Sequence, residues 1–224
     1  MNKNSQNSPI KGLLLYTFYS ATATARLILG ICLLFGVYLL CAIRFHALHA
    51  HSAPVFALMG IATFSCSFIM SEYKDVATKW SRVQLAMPIK RSDVIASKYL
   101  GHLLMLSLGI ALTAIFIGLH FPLRDCVECF IENILWFVPA SIGTSLISCG
   151  LFYPVAYVMG IDKDGALYLV CMFVSGGINA LILWIGYTAK LPQIVNAAVC
   201  VIISAVLFVV SYVITAKIYA KKDF

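Results

Sequence analysis

Residues Ile194–Ala216, IVNAAVCVIISAVLFVVSYVITA, carry no charged side chain and run long enough to cross a lipid bilayer, and that reading decides the fold. A helix rises about 1.5 Å per residue and the hydrocarbon layer is about 30 Å thick, so roughly 20 apolar residues make one span. Working outward, five more windows meet or approach that length: Leu27–Ile43, Ala53–Met70, Tyr99–Phe121, Asn133–Tyr157 and Ala166–Ala189. The first two are short, and residues flanking Arg26 and Met70 extend them. Composition agrees, since 62% hydrophobic and 11% charged residues with a mean hydropathy of +0.94 belong to a polytopic membrane protein, not a soluble globule. The expectation is an all-α protein of six transmembrane helices.

Positively charged loops stay on the cytoplasmic side, so the lysines and arginines orient the spans. With both termini inside, thirteen of the sixteen fall on inner segments, and only Arg44, Arg124 and Lys190 lie outside. The chain then divides into a cytoplasmic N-terminus over residues 1–26, a six-span unit over 27–216 with an inner loop over 71–98, and a cytoplasmic tail over 217–224. The net charge of +7 is an orientation signal. It is split among short loops and forms no single basic stripe, which argues against nucleic acid as a partner. The first 26 residues do not read as a cleavable signal, because Thr17, Ser20, Thr22 and Thr24 break the apolar run. Ile10, Leu13, Leu14, Thr17, Phe18 and Ala21 recur at helical spacing, which suits either a helix lying on the inner surface or the lower half of a long first span.

Chemistry is hard to place in the spans. They show no His at mid-depth and no Asp or Glu well inside an apolar window, which weakens both a membrane hydrolase and an ion-coupled transporter. No phosphate-binding G-x-x-x-x-G-K-[ST] loop exists, so energy for transport would come from a separate ATPase. Six of the eight cysteines sit within or at the edge of spans, where Cys behaves as a small apolar residue. Cys126 and Cys129 form one C-x-x-C in the outer loop without a second pair, and His46, His49 and His51 crowd another outer loop with no carboxylate nearby. No metal site is expected from either. The candidate cavity residues are the few polar groups at span depth: Ser65, Thr113, Ser141, Thr144, Ser145 and Asn179. They suit a mostly apolar cavity for an amphipathic molecule, or simply close helix packing.

The inner loop holds the most specific signal. In KDVATKWSRVQLAMPIKRSDVIASKY, from Lys74 to Tyr99, the polar Lys79, Trp80, Arg82 and Gln84 precede apolar Val83, Leu85, Ala86 and Met87. Pro88 then interrupts the helix, since it lacks an amide donor and clashes with the preceding turn. Ser92 is placed to cap a new helix running into the third span. The product is an amphipathic helix, a bend and a rigid continuation, which serves either as a coupling helix between spans two and three or as a basic loop that binds anionic lipid.

Asp75, Lys79, Trp80, Met87, Pro88, Arg91, Val94, Lys98 and Tyr99 resemble the D-x-x-x-K-W … L-P-x-x-R-x-x-[IV]-x-x-K-Y pattern of small six-span permeases of bacterial type-two ATP-binding-cassette exporters, a group that includes the membrane subunits of phenol-soluble-modulin exporters. KGLLLYTFYS from Lys11 and PVAYVMGIDKDG from Pro154 match the same family more loosely. Tyr16 and Thr17 stand where the family tends to have Lys-Asp, and Met87 where it has Leu. The resemblance implies an N-terminal surface helix, a permease dimer of identical or homologous subunits, and two ATPase subunits that bind ATP and magnesium. Lys79, Trp80, Arg82, Met87, Pro88, Lys90 and Arg91 would couple the ATPases to the spans, helped by Gly160, Asp162 and Lys163 in the second inner loop. No cofactor is implied in this chain.

The cargo expected is an amphipathic, antimicrobial-type peptide or another hydrophobic molecule, exported across a bacterial plasma membrane. Two other classes compete. A substrate-binding subunit of an energy-coupling-factor importer is also small and six-span, but docks through small-residue motifs in its first span, where LILGICLLFGVYLLCAI has only Gly30 and Gly36. A non-transporting membrane enzyme or immunity protein is the other. An adjacent ATPase gene favours the exporter. The topology predicts that an impermeant thiol reagent labels reduced Cys126 or Cys129 on intact cells, while Lys90→Cys reacts only after permeabilisation; labelling of position 90 in sealed cells would reverse the orientation.

Overall fold

The computed structural model describes residues 11–16, 18, 19, 26, 30, 33, 34, 37, 61, 90–120, 127–159 and 164–221. Four long helices make up most of these: α1 (Arg91–His120), α2 (Val127–Met159), α3 (Asp164–Thr188) and α4 (Gln193–Lys221). Each is long and apolar enough to cross a membrane, over Arg91–Leu119, Phe130–Met159, Leu169–Thr188 and Gln193–Lys221. These segments overlap the last four expected windows; Leu169–Thr188 lies within its window, while the other three extend past one or both window ends because polar residues such as Lys98 and Lys217 continue a helix past its apolar stretch. Residues 11–16 are helical, with Leu13 buried and Leu15 exposed. No strand occurs among the described residues. The two earlier windows, apart from scattered positions, and the loop through Ile89 lie outside them.

α2 packs most extensively along α4 and next along α3, while α1 lies chiefly against α4. The buried residues of α4 are Asn196, Ala197, Cys200, Ser204, Phe208, Ser211, Thr215 and Tyr219. After the adjacent Asn196 and Ala197 they recur every three or four positions, which places them on one face. Val206, Val209 and Val213 on other faces are exposed. Among lipid tails an apolar exterior gives helices no reason to associate, so small side chains and hydrogen bonds between helices must hold them together. The inward face of α2 meets that requirement with Ser141, Ser145, Ser148 and Cys149, all buried.

One backbone defect fixes how α2 and α4 meet. Pro154 lies inside α2 and has no N–H, so the carbonyl of Gly150 one turn earlier loses its helical donor. Ser211 Oγ on α4 donates to that carbonyl. The helices are close here: a Cβ at Gly150 would stand in van der Waals contact with Ser211 Cβ at 3.4 Å. Proline is tolerated in a span only when a neighbour satisfies the freed group, and Ser211 does so.

Ser211→Ala is therefore expected to cost about 1–3 kcal/mol by stranding a buried acceptor. In a Pro154→Ala background the restored amide serves Gly150, and the same substitution should cost distinctly less. Unfolding in detergent micelles compares the four proteins; an equal penalty in both backgrounds would show that Ser211 does not complete this helix.

Candidate coupling site and buried polar seam

α1 begins where the basic inner loop ends. The Asp93 amide donates to the Lys90 carbonyl at 2.9 Å, so Lys90 occupies the cap position. Ser92, expected to cap, lies within the first turn instead, and its hydroxyl donates to Asp93 Oδ1 at 3.3 Å. The difference arises because α1 starts at Arg91, with Asp93 rather than Ser92 placing an oxygen near the positive end of the helix. Arg91 reaches across the bundle: its Nη1 donates to the Ala220 carbonyl in the last turn of α4 at 3.0 Å. Helix C-termini leave carbonyls without internal donors and carry partial negative charge, so a guanidinium is well matched to this position.

Two turns into α1, Tyr99 is the hub of the inner half. Its hydroxyl lies 2.9 Å from both Ser211 Oγ and Thr215 Oγ1. Ser211 already gives its proton to Gly150, so Tyr99 must donate to Ser211, and Thr215 is left to donate to Tyr99 or to the Ser211 carbonyl at 2.8 Å. The ring of Tyr99 packs on Tyr153 at 5.1 Å, Phe208 at 5.0 Å and Tyr212 at 5.3 Å between centroids. Lys98, also buried, places its Nζ 5.9 Å from the ring centre of Tyr157, which in turn packs edge-on against Tyr219 at 5.2 Å. Burying such aromatics together with their hydroxyl partners locks α1, α2 and α4 into one unit.

His102, which the sequence reading did not single out, lies roughly 16 Å along α1 by helix rise and is fully buried, with Nε2 3.2 Å from Ser145 Oγ.

A second knot joins α2, α3 and α4. Asn179 Nδ2 donates to Thr144 Oγ1 at 3.0 Å, and Cys200 Sγ donates to Asn179 Oδ1 at 3.1 Å. Ser204 turns its hydroxyl to the Cys200 carbonyl at 2.7 Å. The absent side chain of Gly143 makes room for all of this, because a Cβ there would come within 3.0 Å of both amide atoms of Asn179 and of Ser204 Oγ. One turn further along α2, the hydroxyls of Ser148 and Ser175 bond directly between α2 and α3.

Of the expected coupling residues, Lys79, Trp80, Arg82, Met87 and Pro88 lie outside the described residues, as do Gly160, Asp162 and Lys163. Lys90 and Arg91 are described, both exposed at the entrance to α1. Of the expected cavity residues, Ser65 lies outside, while Thr113, Ser141, Ser145 and Asn179 are buried within this one subunit. The structure joins Thr144 to Asn179 and Ser145 to His102. Ser141 bonds its own helix at the Phe137 carbonyl, 2.7 Å away. Sequence reasoning passed over His102, Ser148, Ser175, Asn196, Ser204, Ser211 and Thr215. The signal for those on α4 was present, since Asn196, Cys200, Ser204 and Phe208 are four apart and Ser211, Thr215 and Tyr219 continue the face.

An apolar, internally bonded helical bundle with a cationic entrance at one end defines a multi-pass membrane protein. Residues 13–220 match the family model described as ABC-2 family transporter protein, and the chain belongs to that family. It is thus the membrane component of an ATP-binding-cassette transporter, which works with a partner ATPase and is not itself the catalytic subunit. No curated protein and no solved structure matches it.

Gly143→Ala should destabilise the bundle by about 1–3 kcal/mol through overpacking. Adding Asn179→Ala removes the group that Cβ meets, so the double variant should be more stable than the sum of the two single losses. Unfolding midpoints of the four proteins in one detergent measure this; strict additivity would mean that Gly143 and Asn179 do not share the space.

Proposed function

We propose that this chain is a six-span exporter permease of the type its inner loop resembles, working as a dimer above two ATPase subunits. The observation that carries the reading is the pair of links from the start of α1 to α4: Arg91 to the Ala220 carbonyl, and Tyr99 to Ser211 and Thr215. A push delivered to the segment before Arg91 reaches α4 at its end and again at its middle turns, so α1 and α4 move together. Trp80, Met87 and Pro88 supply shape and apolar docking to an ATPase cleft, and Lys79, Arg82, Lys90 and Arg91 meet its acidic groups. Gly160, Asp162 and Lys163, between α2 and α3, form the second contact on the same side.

The cargo we infer is an amphipathic peptide of antimicrobial type, moved outward from the membrane. Its support is chemical. Within the described bundle polar side chains such as Ser141, Thr144, Ser148, Asn179 and Ser204 bond to other side chains or to backbone carbonyls, and large apolar residues such as Phe173, Leu181 and Ile185 face outward from α3. A molecule with its own apolar face can approach such a surface from the bilayer without stranding a polar group. Thr113, Ser141, Thr144, Ser145 and Asn179 would contribute to a passage only when the helices part.

Trp80→Ala and Pro88→Leu should leave insertion intact but lower retention of the co-expressed ATPase by about tenfold, the effect of losing one interface hot spot. Co-purification and substrate-stimulated ATP hydrolysis measure this, and unchanged values in both variants would remove the loop from the coupling role. In the same cells, deletion of the gene should raise membrane-retained peptide or sensitivity to it.

A further inference from the structure

At the end of the bundle opposite Arg91, the start of α2, the end of α3 and the start of α4 enclose a cleft of about 460 Å³. That volume falls within the range of roughly 300–1,000 Å³ typical of small-molecule sites. Trp136 and Tyr187 form two of its walls, with ring centroids 6.2 Å apart and planes inclined at 57°. Glu132 supplies a carboxylate, held in place by Gln193 Nε2, which donates to its Oε1 at 2.8 Å. Lys190 supplies an ammonium to the same lining. Among the described residues Glu132 and Lys190 form no ion pair, so each charge remains available to a ligand. Asn196 lines the same cleft with part of its side chain, while its amide is turned to α3: Nδ2 donates to the Leu183 carbonyl at 3.1 Å and Oδ1 lies against Gly186, where a Cβ would collide with it.

The backbone adds a second anion-favouring element beside Lys190. The Leu191 amide donates to the Gly186 carbonyl and the Lys190 amide to the Tyr187 carbonyl, the paired bonds that close a helix C-terminus, with Lys190 in the left-handed region at φ 54°. Pro192 follows, and the first intrahelical bond of α4 runs from the Asn196 amide to the Pro192 carbonyl. The amides of Gln193, Ile194 and Val195 therefore have no partner within the helix, and proline has no side chain to cap them. The cleft thus offers a cation a carboxylate and aromatic faces, and offers an anion the Lys190 ammonium and the free amides at the start of α4.

We propose that this cleft binds a zwitterionic phospholipid headgroup, its ammonium at Glu132 beside the Trp136–Tyr187 pair and its phosphate at Lys190. A simple cation would have to compete with Lys190 for the carboxylate, and a simple anion would be repelled by Glu132, whereas a headgroup with both charges satisfies both. The source is a lipid because tryptophan and tyrosine at a span end mark the depth at which headgroups lie.

The test uses the full chain in a maltoside detergent with Trp80→Phe and Trp184→Phe, which leaves Trp136 as its one tryptophan. Dihexanoyl-phosphatidylethanolamine should change the Trp136 emission saturably, and dihexanoyl-phosphatidylglycerol should need about tenfold more, as should phosphatidylethanolamine against Glu132→Gln. Lys190→Gly, which suits the left-handed turn and so keeps the fold, should weaken the same lipid to a similar degree. Equal response to both lipids, or unchanged affinity in both variants, overturns the proposal. Binding of glycerophosphoethanolamine as tight as that of the lipid assigns the site to a soluble zwitterion and overturns the lipid source.

Discussion

The carbonyl of Gly150, stripped of its helical donor by Pro154 and bonded instead by Ser211, is the constraint on which the rest of the bundle depends. In water a stranded carbonyl would find solvent; in hydrocarbon it must find protein. Only a hydroxyl from a neighbouring helix at that height will serve, and Ser211 is there because α4 is packed in one register against α2. That register then places Phe208 against Tyr99 and His102, Thr215 beside the Tyr99 hydroxyl, and Ser204 and Cys200 in the knot around Asn179. The proline that looks like a flaw in α2 is thus the reason its partner helix has an address.

The consequences differ between helices. α1 is tied to α4 by the Arg91 cap and by Tyr99, whereas α3 reaches α2 through the Ser148–Ser175 pair, both α2 and α4 through the amide of Asn179, and α4 again through the Asn196 bond to the Leu183 carbonyl. α1 thus meets the bundle chiefly through α4, and α3 meets it through both α2 and α4. The membership in the ABC-2 transporter family fits this mechanics, since such a subunit needs mechanical links more than catalytic groups.

Much of this architecture is legible in the residues. Length and apolarity locate the last four spans, because the bilayer imposes the same thickness on all of them. Where the reading fell short, it treated the edge of an apolar window as the edge of a helix. α1 begins about two turns before Tyr99, which put Ser92 in its first turn. Polar residues in spans were recognisable, but Thr144, Ser145 and Asn179 looked like groups for a cavity, since a one-dimensional pattern cannot show that each has a partner on another helix. The hub at Tyr99 joins residues more than a hundred positions apart, a pairing that no local periodicity encodes.

The spacing on α4 carries a further physical meaning. Asn196, Cys200, Ser204 and Phe208 are four apart, so a slip of one turn would replace most small polar residues with other small polar residues at little cost. Such a stripe alone specifies register weakly. The interruption at Phe208–Ser211, where the step shortens to three, breaks that equivalence: a slip would drive Phe208 toward a position that now holds a serine and withdraw Ser211 from Gly150. Bulk and hydrogen bonding thus change together at one point of the helix, and the point lies beside Tyr99, the side chain that links α4 to the entrance helix.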